Sequence, residues 1–297
     1  MRGPAALWLL AIAAAAGSLG LLDRRRGEPP HKAEMLTAGD ADVRAVRGGN
    51  GPVTLLLLHG FGESLTTWRA IFDPLAGAHR VVAIDLPGFG GSEKPDAPYT
   101  LEAMTGRLVS LLDREIEGPV VVVGHSMGGL LAASLALNRP DRVRALVLIA
   151  PAGFRVGLWG LVDSLSSTGA ARIGRYLGLR SFITPIHDPA WLREGDSAAR
   201  YDLTVDPSYR HSATRVLEEF DFEGLKGRFA EIRQPTLLVW GRLDPVIPPS
   251  VADSLRNLIP CNRLVMVPQA FHRPHAEHPD TTLFEIRRFL DSPTCPI

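Results

Sequence analysis

The chain has 297 residues, 45% of them apolar, with 32 basic against 32 acidic side chains and a formal net charge of zero. That length and apolar content suffice to bury a full core as one large domain, or one domain with an insertion. The charge balance leaves no basic stripe for nucleic acid and excludes that partner, while two cysteines are too few for a disulfide framework and lack metal-ligand spacing.

Residues 5–22 read AALWLLAIAAAAGSLGLL, uncharged and close to the roughly 20 residues a helix needs to cross hydrocarbon. Arg24, Arg25 and Arg26 follow it, against Arg2 alone before it. A secretory signal shows a positive start, a shorter apolar stretch and a small-residue cleavage site, which Arg2 and the alanines at 14–16 partly satisfy. The arginine excess beyond the run favours an uncleaved anchor. Residues 1–30 are therefore expected to hold the protein to a membrane through one helix, with export after signal cleavage as the alternative. Residues 27–51, polar and carrying EPP and GGNG, read as a linker or a short peripheral hairpin.

Apolar strand-like runs then recur at residues 53–60, 79–88, 119–126, 143–151, 235–244 and 263–270, most of them separated by segments of helical length such as 101–116 and 127–140. Continuous rather than alternating apolar strands, interleaved with helices, argue for a mostly parallel central sheet covered by helices on both faces, an α/β domain. The alternation breaks over residues 153–229, where short helical patches are punctuated by Pro185, Pro189 and Pro207; this reads as a helical cap inserted over the sheet. The expected organisation is thus 1–30 anchor, 31–152 first part of the core, 153–229 cap and 230–297 second part of the core.

Gly124-His125-Ser126-Met127-Gly128 is G-x-S-x-G between a strand and a helix, the setting of a nucleophile elbow. A sharp turn there brings neighbouring chains too close for side chains at 124 and 128, lifts the Ser126 hydroxyl to the carboxyl edge of the sheet, and aims the Met127 amide at a developing oxyanion. Serine needs a histidine base and an acid to orient it. In this class of sheet the order is serine, acid, histidine, each after a later strand; GRLDPVIPP places Asp244 and PQAFHRPHAEHP places His272 at such ends, whereas the competing position after the 143–151 run has no carboxylate. His272, His275 and His278 are spaced by three, but Pro274 and Pro279 interrupt any regular helix, so His275 and His278 read as solvated loop residues rather than metal ligands. The turn His59-Gly60-Phe61-Gly62 offers the Phe61 amide as the second oxyanion donor, with His59 a structural hydrogen-bonder.

Together with DLPGFGGS (Asp85, Gly88, Gly90, Ser92) and HRPHAEHP, these motifs resemble the α/β-hydrolase superfamily over residues 53–290, specifically the capped branch of bacterial lipases and esterases, carbon-carbon bond hydrolases and cofactor-free haloperoxidases. The resemblance implies that Asp85 and Ser92 shape a loop and that the insertion forms the acyl pocket. A serine at 126 disfavours the dehalogenase and epoxide hydrolase branches, which carry aspartate there. The expected activity is hydrolysis of carboxylic esters, lipid-like ones such as monoacylglycerols given the anchor, by Ser126, His272 and Asp244 with the Phe61 and Met127 amides, using no cofactor and no metal. A carbon-carbon bond hydrolase or a non-catalytic ligand-binding relative is the alternative. Cys261 precedes the last core strand, and a following helix running back antiparallel brings Cys295 near it, so that a disulfide between them is geometrically possible.

Overall fold

In the computed structural model, which describes residues 31–154 and 207–293, β1 (Glu34–Ala38) and β2 (Ala41–Gly48) form an antiparallel hairpin. Each of the six expected apolar runs then forms a strand: β3 (Thr54–Leu58), β4 (Arg80–Ile84), β5 (Val120–His125), β6 (Val143–Ile149), β7 (Thr236–Gly241) and β8 (Asn262–Val267). The eight strands make one sheet in the order β1-β2-β4-β3-β5-β6-β7-β8, parallel from β4 through β8. Of the two readings of the 27–51 segment, its described part takes the hairpin, joined to the sheet rather than peripheral. From residue 34 its backbone pairs into the sheet, Ala45 of β2 standing opposite Ile84 of β4.

Burial on both faces explains the unbroken apolar runs. In β5, Val120 and Val122 point into one core and Val121 and Val123 into the other; in β3, Leu56 and Leu58 share the first core and Leu55 and Leu57 the second. Helices α2 (Leu101–Glu115), α3 (Met127–Asn138) and α5 (Pro249–Leu258) pack in the first core, α1 (Arg69–Ala76) and α7 (Pro279–Asp291) in the second. Each fully buried Leu or Val side chain contributes about 1.5–3 kcal/mol, so the strands are fixed in register by the same residues that make them apolar. The helix α2 starts where the Thr100 hydroxyl accepts the Ala103 N–H at 3.2 Å, an N-cap that satisfies one orphan donor of the first turn. Helix α3 is buried from Met127 through Ala136, which is why it reads as apolar all round rather than as an amphipathic stripe.

Because β3, β5, β7 and β8 are parallel, their following loops all emerge at one edge of the sheet. In open α/β sheets, ligands bind outside that carboxyl edge. Of the segment expected to form a cap, residues 155–206 lie outside the described residues, and α4 (Pro207–Glu219) falls in its described part. That helix sits against the same edge: Tyr209 Oη–H donates to the Gly62 carbonyl at 3.2 Å and Ser212 Oγ–H to the Gly88 carbonyl at 2.6 Å.

The membrane anchor needs correcting. Spanning hydrocarbon takes an apolar helix of roughly 20 residues, and among the described residues no helix is long and apolar enough to cross a membrane; α2, at 15 residues, is amphipathic, with one buried and one exposed face. Residues 5–22, on which the expectation rested, lie outside the described residues, and neither a membrane location nor an export signal is carried forward. Cys261 is disulfide-bonded; Cys295, the other cysteine of the chain, lies outside the described residues.

The loop after β4 is built around one carboxylate. Asp85 Oδ2 accepts from Arg44 Nε at 2.5 Å and from the Gly91 amide at 2.7 Å, Oδ1 accepts from the Leu65 amide at 2.7 Å, and its carbonyl accepts from Ser92 Oγ at 2.6 Å. A Cβ on Gly90 would lie 2.2 Å from the Asp85 carboxyl carbon, so the glycine is required by the carboxylate it wraps. All of these groups are occupied in shaping the loop. Asp85→Ala removes the acceptor of the Arg44 Nε–H and of the Gly91 and Leu65 amides at once, and is expected to cost about 3–5 kcal/mol, read as a lowered midpoint in urea unfolding.

Candidate active site

Ser126 stands between β5 and α3 with φ 52° and ψ −117°, a conformation that side-chain-bearing residues avoid and that costs about 1–3 kcal/mol. Its neighbours hold it there. The Ser126 amide donates to the Ile149 carbonyl at 3.0 Å, and the Ser126 carbonyl accepts the Gly129 and Ala152 amides, each at 2.9 Å. Cβ atoms on Gly124 and Gly128 would fall 2.3 Å from the Gly128 and Leu58 carbonyl oxygens respectively, which is the crowding the motif requires. Met127 opens α3, so its N–H has no acceptor within the helix.

Asp244 and His272, expected from sequence order alone, meet: His272 Nδ1–H donates to Asp244 Oδ2 at 2.8 Å. The other oxygen, Oδ1, accepts the Val246 and Ile247 amides at 2.8 and 2.9 Å, and Trp240 Nε1–H closes the loop on the Ile247 carbonyl. With the carboxylate accepting at Nδ1, the neutral ring carries its lone pair on Nε2, the arrangement a general base needs. The His272 loop is clamped from below by Glu277, whose carboxylate accepts the Phe271 amide at 2.5 Å and the Arg273 amide at 3.1 Å. No hydrogen bond joins the Ser126 hydroxyl to His272 among the described residues. The link between their loops is His125, whose Nε2–H donates to the His272 carbonyl at 2.9 Å.

Phe61 lies in the turn after β3, where the Glu63 amide donates to the Gly60 carbonyl at 3.2 Å and Gly62 takes φ 72°. His59 is structural, as expected: Nε2 accepts the Leu86 amide at 2.9 Å, so Nδ1 carries the proton and donates to the Gly60 carbonyl at 2.7 Å. Burial pushes its pKa down, only partly opposed by Asp85.

A sequence profile described as Alpha/beta hydrolase family matches residues 55–285. The chain belongs to that family. One relative is the pimeloyl-[acyl-carrier protein] methyl ester esterase of Edwardsiella ictaluri, 30% identical over 258 residues, covering 82% of this chain and 95% of the relative. Another is the dihydrolipoyllysine-residue acetyltransferase component of the acetoin cleaving system of Cupriavidus necator, 46% identical over 222 residues, 71% of this chain but only 57% of that relative. Among solved structures, a serine hydrolase involved in carbazole degradation superposes with a TM-score of 0.66 at 26% identity, covering 88% of this chain and 99% of the other.

Two residues of this α/β hydrolase that sequence reasoning passed over sit beside the constellation. His275, expected in a solvated loop, is fully buried: Pro274 opens the short helix α6 (Pro274–Glu277) and turns the ring inward, against Trp68 with centroids 4.5 Å apart and against His125 at 4.8 Å. Its Nε2 pairs with Thr67 Oγ1 at 3.0 Å. Burial, reinforced by His125, holds its pKa well below the ordinary histidine value, so the ring is neutral. Glu63, the other, accepts from His125 Nδ1 at 2.9 Å. Burial alone would push its carboxyl up; the charge and hydrogen bond of His125, helped by Arg273, reverse this and hold it well below the usual carboxylate range. Potential ligand atoms of Glu63, His125 and His275 lie within 4.8 Å of one another, the one group of three among the described residues that stands so close, and not the 272/275/278 triple that spacing suggests.

His59 and His275, neutral when buried, must gain protons on unfolding once pH falls below about 6.5. Stability present above that pH is therefore lost as it falls, with a slope of up to about 1.4 kcal/mol per pH unit and site. Unfolding free energies in urea are expected to drop between about pH 6.5 and 5, and His275→Met is expected to flatten that slope.

Proposed function

We propose that this chain is a serine hydrolase that cleaves carboxylic esters of apolar, lipid-like acids through an acyl-enzyme on Ser126. The chain is a carboxylic ester hydrolase, consistent with its esterase relative and family match. What carries the finer reading is one arrangement: the hydroxyl-bearing bend at φ 52° and the Asp244–His272 pair stand at the same sheet edge, their loops tied together through His125.

In this mechanism Ser126 attacks the ester carbonyl while His272 Nε2 takes its proton, and Asp244 holds the tautomer and stabilises the imidazolium that forms. The Met127 and Phe61 amides receive the oxyanion. Protonated His272 hands its proton to the departing alcohol, then activates the water that releases the acid. The preference for apolar acyl chains rests on Leu243 and Phe271, each adjacent in the chain to a member of the pair and about half exposed at the same edge. The 153–229 segment is proposed as the cap over this edge, in keeping with the bond from Tyr209 to Gly62 beside Phe61.

One comparison favours a second reading. The Cupriavidus relative is named an acetyltransferase component, and the same acyl-enzyme discharged by a thiol or alcohol instead of water is a transferase. Product analysis with and without added thiol separates the two.

Ser126→Ala is expected to lower turnover of a short-chain chromogenic ester by about 10⁴-fold or more, and a fluorophosphonate probe is expected to label the wild type but not this variant. Wild-type turnover by the variant would sink the assignment. Bleaching of a vinylogous diketone chromophore in place of ester turnover would instead point to carbon-carbon bond cleavage.

A further inference from the structure

The three loops assigned above to nucleophile, oxyanion and base converge on one buried contact between Glu63 and His125. From the oxyanion loop, the Gly60 amide donates to Glu63 Oε2 at 2.9 Å. From the nucleophile strand, His125, the residue before Ser126, reaches the same oxygen through Nδ1. From the base loop come three contacts: the His272 carbonyl accepts His125 Nε2–H, Arg273 Nη1 stands 3.8 Å from Glu63 Oε1, and the His275 ring packs on His125.

Donor accounting decides what this contact is. The His272 carbonyl can only accept, so His125 Nε2 carries a proton. An ionised Glu63 carboxylate can only accept, in which case Nδ1 carries one as well and His125 is an imidazolium. The contact is then an ion pair buried at both ends, with His125 1% and Glu63 10% side-chain exposed. His275, kept neutral by burial, adds no second charge beside it, and the His272 ring that takes the proton in the reaction stands 4.7 Å away with Asp244 Oδ2 on its Nδ1. The same accounting leaves no lone pair on His125 for a metal ion.

We propose that the Glu63–His125 ion pair is the positioning device of the reaction, fixing the base loop and the oxyanion loop relative to Ser126, with Glu63 a positioning residue that acts through His125. This rests on the reading that Ser126 and His272 perform the chemistry. An apolar residue at 63 would fill the space but hold neither the Gly60 amide nor the imidazolium. A glutamine would keep the shape and the Gly60 contact and remove only the charge. Space is tight enough to matter: a Cβ on Gly60 would lie 2.8 Å from His125 Nδ1 and 3.1 Å from Glu63 Oε2.

The test compares Glu63→Gln and Glu63→Ala with the wild type on a short-chain chromogenic ester, alongside ¹⁵N-histidine spectra of the full chain at about pH 7.5, where unperturbed histidines are mostly neutral. The expected result is a loss in kcat on the order of 10- to 100-fold in both variants, as a misplaced base causes, with KM little changed and slower fluorophosphonate labelling. The spectrum of the wild type is expected to contain one ring with two N–H protons, reduced to one in Glu63→Gln. Wild-type kcat in Glu63→Gln would overturn the proposal, since packing alone would then suffice. So would the absence of a doubly protonated ring in the wild type, which decides the matter even where the alanine variant fails to fold. Stoichiometric zinc that survives dialysis against a chelator and is lost in Glu63→Gln would overturn it too, by making the cluster a metal site. Ser126→Ala in the same assay keeps the two claims apart: full activity there defeats the mechanism, while the ring spectrum still reports on the ion pair.

Discussion

The structure depends on a chain reversal that has no room in it. Between β5 and α3 the backbone turns from a buried strand into a buried helix within one residue, and that residue, Ser126, is held at φ 52° by carbonyls and amides of the neighbouring β6 end. Nothing in the serine favours this. The conformation persists because β5 and α3 each bury far more apolar surface than the 1–3 kcal/mol the strained residue costs, and because glycines at 124 and 128 let the backbone of the β3 end and the helix start approach to contact. Fold and reactivity are here one constraint: the packing that strains the bend also exposes the hydroxyl and leaves the first amide of α3 without an intrahelical acceptor.

Around that bend the sheet does the gathering. Parallel strands deliver all their carboxyl ends to one edge, so residues separated by more than a hundred positions meet without long-range design beyond strand order. The fine positions, however, come from loops, and loops need their own fastening. Glu277 fastens the His272 loop, the Val246 and Ile247 amides fasten Asp244, and Asp85 fastens the loop after β4. In each case a carboxylate accepts backbone amides, which gives direction as well as energy.

This division explains what the sequence disclosed. Parallel strands buried on both faces leave unbroken runs such as VVVV, so all six core strands could be read from composition. The bend is legible because glycine is obligatory there, and Asp244 and His272 because strand ends fix where each must fall. The hairpin of β1 and β2 was under-read: its strands mix Arg44 and Arg47 with apolar residues, and only pairing to β4 makes them part of the sheet. Glu63 and His275 left no signal of their own. A glutamate in a glycine turn and a histidine three residues past another histidine are, in one dimension, indistinguishable from solvated loop residues; burial comes from Trp68 and His125, which are distant in sequence.

The proposed Glu63–His125 ion pair also bears on why charge is spent in the interior at all. Burying a carboxylate and an imidazolium costs several kcal/mol per ion, and well-packed apolar side chains of the same volume are often as stable or more so. Stability therefore does not account for Glu63 and His125. Geometry does. Apolar packing is insensitive to rotation and to shifts of a few tenths of an ångström, whereas the Gly60 amide, the two ring nitrogens and the His272 carbonyl accept only a narrow set of directions. A fold that must hold three loops in mutual register gains from such contacts what hydrophobic contact cannot supply, and the place where it spends them is directly behind the residue on which the bend depends.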